Sequence, residues 1–167
     1  MLERKSALAT AAPYISDVLR MGEVRGFTLT QIAGTDKDMG GKLPKNVGTA
    51  LSRDGHTIFR IGPSQFWFIG EAPPQVSADC KLTPLSHSRT RIYLEGAPAR
   101  DVLAKGIPLD FHVSSFTPGM FAQTGLHHTP VTVHCIGETR FELYVLRTFA
   151  MSVWDWLTDA ALEFAAS

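Results

Sequence analysis

Ile61–Ile69, "IGPSQFWFI", and Ile136–Tyr144, "IGETRFELY", start 75 residues apart and share Ile, Gly and Phe at their first, second and sixth positions. In the first, "HTIFRI" turns back into "QFWFI" through the three-residue connection Gly62-Pro63-Ser64, a length that closes a β-hairpin. In the second, "VTVHC" turns back into "RFELYVL", with Phe141, Leu143 and Val145 on one strand face and Arg140, Glu142 and Tyr144 on the other. Upstream, "LTQIAG" ending at Gly34 parallels "RIYLEG" ending at Gly96, and Leu43-Pro44 of "KLPKNVG" parallels Ile107-Pro108 of "KGIPLDF". The order of the three matches is the same in both halves, which reads as an internal duplication. The smaller offset upstream, 62 to 64 residues, leaves the first half with a reduced helix.

Each half predicts strand, helix, strands. "RGFTLTQIA" alternates with period two and is a strand; "GTDKDMGGKLPKNVG" breaks regular structure and holds a loop or one short helix. "GEAPPQVSADCKLTP" links the halves. "RTRIYLEG" is the matching strand, and "APARDVLAKG" a helix with Pro98 at its first position and Gly106 as C-terminal cap. A last helix spans about Phe149 to Phe164, with Ala150, Val153, Trp154, Leu157, Ala160, Ala161 and Phe164 as its buried stripe. The fold class is α+β, with two pseudo-repeats at about 25–80 and 85–165 in one domain spanning 25–167. Residues 1–24, in which "PYISDVLRMG" offers two helical turns, read as an N-terminal arm.

At 167 residues the chain is one domain, able to bury roughly 70% of its unfolded surface without staples. Sixteen Lys and Arg balance sixteen Asp and Glu, with no block of like charge, so the field that holds a phosphate backbone is missing and nucleic acid is excluded as a partner. No apolar run approaches the ~20 residues that cross a bilayer, and the N-terminus has no signal core. The expectation is a cytoplasmic protein that makes no membrane contact. Cys80 and Cys135 fit neither a CxxC nor a secreted framework and are expected as free thiols.

"QTGLHHTPVTVHC", Gln123 to Cys135, concentrates three of the six histidines. It does not make a metal site. Adjacent strand residues face opposite ways, which separates His127 from His128, and His134 lies about 20 Å beyond His128 at ~3.3 Å per residue. Zinc ligands sit ~2 Å from the ion. "GLHHTP" reads instead as a turn entering a strand. His134 and Cys135 point apart, Asp110 and His112 can form a structural pair, and GxSxG, HExxH, GxGxxG and GxxxxGK[ST] are all missing. Hence we expect no catalytic, metal or cofactor-binding residue in this chain.

Other residues suggest contact. Met151, Leu162 and Trp156 lie off the core stripe of the last helix, Trp67 faces away from Phe66 and Phe68, and Arg147 sits where a strand ends and a helix begins. These five, with His127 and His128, are the candidate interface or structural positions.

From Leu85 to Phe164 the ordered series "RIYLEG", "LAKGIPLDFH", "AQTGLHH", "LYVLRTFA" and "WDWL" resembles the gamma subunit of heterotetrameric sarcosine oxidase. The first half matches only through "IGPSQFWFIG". The resemblance implies a fold similar to the folate-binding domain of glycine-cleavage aminomethyltransferases, two intertwined β/α repeats. It also implies a complex that demethylates sarcosine oxidatively to glycine, passing the one-carbon unit to tetrahydrofolate and forming hydrogen peroxide. FAD, FMN, NAD and tetrahydrofolate would be carried by other subunits, and the partners would be alpha, beta and delta, most directly beta. Self-association of the isolated chain stays open. The rival readings are a stand-alone folate or one-carbon binding domain, which needs an acidic residue aimed at the pterin, and the small subunit of a related N-methyl amino acid dehydrogenase.

Overall fold

In the computed structural model, which describes residues 5–165, the elements in chain order are β1 (Tyr14–Ile15), β2 (Leu19–Val24), β3 (Thr28–Ala33), α1 (Asp36–Met39), β4 (Ala50–Arg53), β5 (His56–Gly62), β6 (Gln65–Gly70) and β7 (Lys81–Pro84). They continue with β8 (Arg89–Gly96), α2 (Ala99–Ala104), β9 (Phe121–Leu126), β10 (Thr129–Cys135), β11 (Arg140–Leu146) and α3 (Ala150–Ala161). Two antiparallel sheets result, β1-β2-β8-β11-β10-β9 and β4-β5-β6-β3-β7.

The duplication is visible in this topology. Strands β3, β6, β5 and β4 lie side by side in the same order as β8, β11, β10 and β9, and α1 and α2 follow the first strand of each set. The strands entering the repeats cross over: β2, which precedes the first, pairs with β8, while β7, which precedes the second, pairs with β3. That exchange is what intertwines the halves. The helix of the first half is indeed the shorter, four residues against six. It persists because Thr35 caps it, with its hydroxyl accepting from Asp38 N while Asp38 accepts from Thr35 N at 3.0 Å.

Where the repeats meet, Thr49 bridges Met120, with Ala50 N donating to Gly119 O at 2.7 Å and Phe121 N to Gly48 O at 2.9 Å. Gly48 and Gly119 have φ of 83° and 88°, a region costly for side chains, so the same backbone corner is built once per repeat.

Burial follows from the alternation of the strands. On sheet β1-β2-β8-β11-β10-β9, Met21, Ile92, Leu94, Phe141, Leu143, Val145 and Val133 face α2 and α3 and form the main core. The helix stripe is as expected for Ala150, Val153, Trp154, Leu157, Ala160 and Ala161, while Phe164 packs half-buried in a terminal 3₁₀ turn. The opposite face is buried too. Tyr144 and Phe121 pack on Leu29, Phe59, Trp67 and Ile69 of the second sheet. The far side of that sheet is covered by α1 and the flanking loops through Met39, Leu43, Val76 and Cys80.

Four expectations need correction. Residues 19–24 are a strand of the larger sheet instead of part of an arm with helical turns: Leu19 and Met21 alternate with Arg20, and β8 offers an edge for them to complete. The residues before it are also tied in, Leu8 in the core and Ser6 to Glu23 at 2.6 Å. The β5–β6 turn has two residues, Pro63 and Ser64, since Gly62 pairs with Gln65. Finally, the link between the halves ends in β7, and Pro98 is the N-cap of α2 and not its first residue.

Candidate functional site

Leu126 pairs with Thr129, so His127 and His128 form a two-residue β-turn between β9 and β10. His127 takes φ 51°, and both side chains are exposed. Its N donates to Gly106 O at 3.3 Å and its ring stands edge-on to Trp156 at 5.6 Å. Trp156 in turn lies on Gly106, where a Cβ would fall 2.4 Å from the indole. The turn, the α2 exit and the middle of α3 are thus locked together, which accounts for His127 and Trp156 as structural groups. His128 points to solvent. Among the described residues no three His, Cys, Asp or Glu side chains converge on a metal position.

His134, on β10, is buried against Phe59, with ring centroids 4.8 Å apart, and its Nδ1 has no hydrogen-bond partner among the described residues. Burial, with the Arg91 cation second, pushes its pKa down to about 4. Cys135 faces the other way, into the helical core, and donates to Gly137 O at 3.3 Å. Burial raises the pKa of both thiols, which are free as expected. His112 Nδ1 pairs with Ser114 Oγ at 2.8 Å, while Asp110 accepts from the His112 backbone instead of its ring. Two histidine and cysteine neighbours are therefore turned apart, and each is held in the packing.

Trp67 is not a surface residue. It is 3% exposed, donates to Gln31 Oε1 at 3.2 Å and stands edge-on to Tyr144, with Arg89 over its ring at 5.6 Å. The cover that its sequence position demanded is the other sheet. Met151 and Leu162 do reach solvent, at 40% and 60%, but they are about 16 Å apart along the helix with Asp155 and Thr158 between them. They do not make one apolar patch.

The remaining candidate, Arg147, belongs to a cationic cluster. Its backbone N donates to Ser88 O at 2.9 Å, which places it beside Arg89, and its guanidinium donates to the Lys5 carbonyl. Arg89 and Arg91 alternate on one face of β8. Arg91 makes a bidentate pair with Glu142 at 2.8 Å on both oxygens, and Tyr144 donates to the same carboxylate at 3.0 Å. Burial and the nearby carboxylate push the Tyr144 hydroxyl well above its ordinary range. Among the described residues Arg89 has only Ser88 as an acceptor, and burial lowers its pKa. Sequence reading missed Arg89, Arg91 and Arg60. The signal was present for the first pair: two arginines with strand spacing opposite Thr90, Ile92 and Leu94 mark a face that must find either water or carboxylates. Arg60 is buried and holds the first-repeat loop through Pro44 O at 2.7 Å, Pro63 O at 3.1 Å and Asp36 at 2.6 Å. The bond from Arg60 keeps the Asp36 carboxyl below its ordinary pKa.

A cleft of about 450 Å³ on the outer face of the second sheet, walled by Lys42, Arg53, His56 and Phe68, is open to solvent, and His56 stacks on Phe68 at 4.8 Å.

The model of the sarcosine oxidase gamma subunit family matches residues 79–163, just over half of the chain. A chain of the heterotetrameric sarcosine oxidase from Corynebacterium sp. U-96, solved with pyrrole 2-carboxylate, superposes with a TM-score of 0.85 at 25% identity, covering 98% of this chain and 97% of that one. Aminomethyltransferase T of the glycine cleavage system from Bartonella henselae superposes with a TM-score of 0.59 at 13% identity, a likeness of fold, over 85% of this chain and 46% of that one. No curated protein sequence matches the chain.

Proposed function

Because the chain belongs to the sarcosine oxidase gamma subunit family, we propose that it serves as a subunit of a heterotetrameric sarcosine oxidase, without catalytic residues of its own. The observation that carries this reading is the end-to-end superposition on a chain of the Corynebacterium oxidase, in which neither chain has a large unmatched region. On this reading the complex converts sarcosine to glycine, hands the one-carbon unit to tetrahydrofolate and forms hydrogen peroxide. FAD, FMN, NAD and the folate reside on the alpha and beta subunits, and this chain docks most directly on beta in the cytoplasm.

The local chemistry supports a scaffold role. His127 braces a turn, His134 is buried in neutral form, and both thiols are buried with raised pKa. A binding domain acting alone would be a colourless monomer stabilised by folate. Among the described residues no helix is long and apolar enough to cross a membrane.

The test is affinity purification of the tagged chain from its own cells grown on sarcosine or glycine betaine, with mass spectrometry and a visible spectrum. A yellow complex with two flavoprotein-sized partners and sarcosine-dependent peroxide formation is expected. A protein that purifies alone and melts higher with folate overturns the proposal; a complex active on another N-methyl amino acid but not on sarcosine corrects its substrate.

A further inference from the structure

The chain is neutral overall, yet its charges are not evenly spread. Lys5, Arg25, Arg89 and Arg147 together line a cleft of about 260 Å³ at one end of the paired sheets. Glu23 is the carboxylate on its wall, and it is already taken by Arg25 at 2.7 Å and by Ser6 at 2.6 Å. The next carboxylate inward, Glu142, is held by Arg91 and Tyr144.

Arg89 is half-buried and has no ion pair among the described residues; its Nη1 donates to Ser88 O at 3.3 Å and to Ser88 Oγ at 3.1 Å. Arg147 gives its guanidinium to a neutral carbonyl. A partly desolvated cation without a counter-charge is destabilising until an anion arrives. Burial already presses on the charged form of Arg89.

Arg89 also lines a second cleft, of about 430 Å³, with Trp67, Gln123, Thr132 and Tyr144. The two clefts share the guanidinium, and both are open to solvent. A small metabolite is gripped best by an enclosed pocket, whereas two open clefts meeting at one cation suit an extended chain carrying several carboxylates. The wall beyond Arg89 offers the exposed Pro130 and the half-buried Leu146 to an apolar side chain.

We propose that the groove past Arg89 docks an acidic segment of a partner polypeptide, with one carboxylate paired with Arg89 and a second received by Arg147 and Lys5. The proposal rests on the reading of this chain as a subunit of an assembly and names the chemistry by which it is held. Charge complementarity of this kind sets the association rate and makes affinity fall with salt.

The experiment measures Kd between this chain and the rest of its purified complex at 50 and 300 mM NaCl for the wild type, Arg89→Met and Lys5→Gln, with thermal melts as the folding control. We expect Arg89→Met to weaken association about 10- to 50-fold at low salt, Lys5→Gln about 3-fold, and both to flatten the salt dependence. If Arg89→Met does not fold, Lys5→Gln and the wild-type salt dependence carry the result. Wild-type association that ignores salt and tolerates the substitutions overturns the groove proposal and leaves the subunit assignment standing. Failure of the wild type to associate with any partner overturns both. Tight Arg89-dependent binding of free citrate or glutamate by the isolated chain, with assembly unaffected by Arg89→Met, also overturns it in favour of a metabolite site.

Discussion

Replacing His134 with Leu should remove an acid sensitivity that the wild type carries through one ring. His134 is buried between Phe59 and the strands of its own sheet, Nδ1 has no partner among the described residues, and its pKa falls from 6.5 unfolded to about 4 folded. Between those values the unfolded chain binds a proton that the native protein refuses. Stability therefore rises with pH across this window and is lost as pH falls through it. Linkage gives a loss of about 2 kcal/mol at pH 5 relative to pH 8, reaching ~3 kcal/mol at pH 4.

The window is favourable because the lowered carboxyls, Asp36, Asp38, Asp54 and Asp110, act lower: their stabilisation is complete above 3.8 and disappears only as pH drops beneath it. Urea titrations at pH 8, 6 and 5 should show the wild-type midpoint falling by about 1 M for a slope of ~2 kcal/mol/M. His134→Leu keeps the volume and removes a polar atom without a partner, so at pH 8 its stability should lie within ~1 kcal/mol of the wild type, with most of the decline to pH 5 gone. A wild type that is equally stable at pH 8 and 5, or a Leu variant with the same slope, would refute the reasoning.

Glu142→Ala leaves the half-buried Arg91 guanidinium and the buried Tyr144 hydroxyl without their shared acceptor, and should cost about 3 kcal/mol in chemical denaturation, more than any exposed ion pair in the chain. Gly106→Ala puts a methyl 2.4 Å from the Trp156 ring; a loss of ~1–3 kcal/mol with a changed tryptophan emission is expected. The pair His127→Ala and His128→Ala should leave the zinc content measured by elemental analysis unchanged, since the two rings serve a turn; one equivalent of zinc, lost on substitution, would contradict that.

Much of the architecture was legible because period-two alternation and the shared Ile-Gly-Phe positions are local properties. They gave both hairpins, the strand over "RTRIYLEG" and the duplication, as the 3.6-residue stripe gave the last helix. The strand β2 was not legible: Leu19 and Met21 are too few to set a period against Gly22, and their conformation is decided by the open edge of β8, 70 residues further on. The candidate contact residues divide in the same way. Trp67 looked uncovered because a strand announces two faces but not what lies against each, whereas Met151 and Leu162, read as lying off the core stripe, do reach solvent.

By itself, then, the sequence determined the two hairpins, the strands over Thr28–Ala33 and Arg89–Gly96, the helices of the second half, and that the halves repeat. Tertiary structure alone decided which strand enters which sheet, that His134 is buried and that, among the described residues, Arg89 lacks the carboxylate Arg91 has found. The physical reason is range. Alternation and turn chemistry act over a few residues, whereas the burial of a charge depends on groups brought from both halves of the chain.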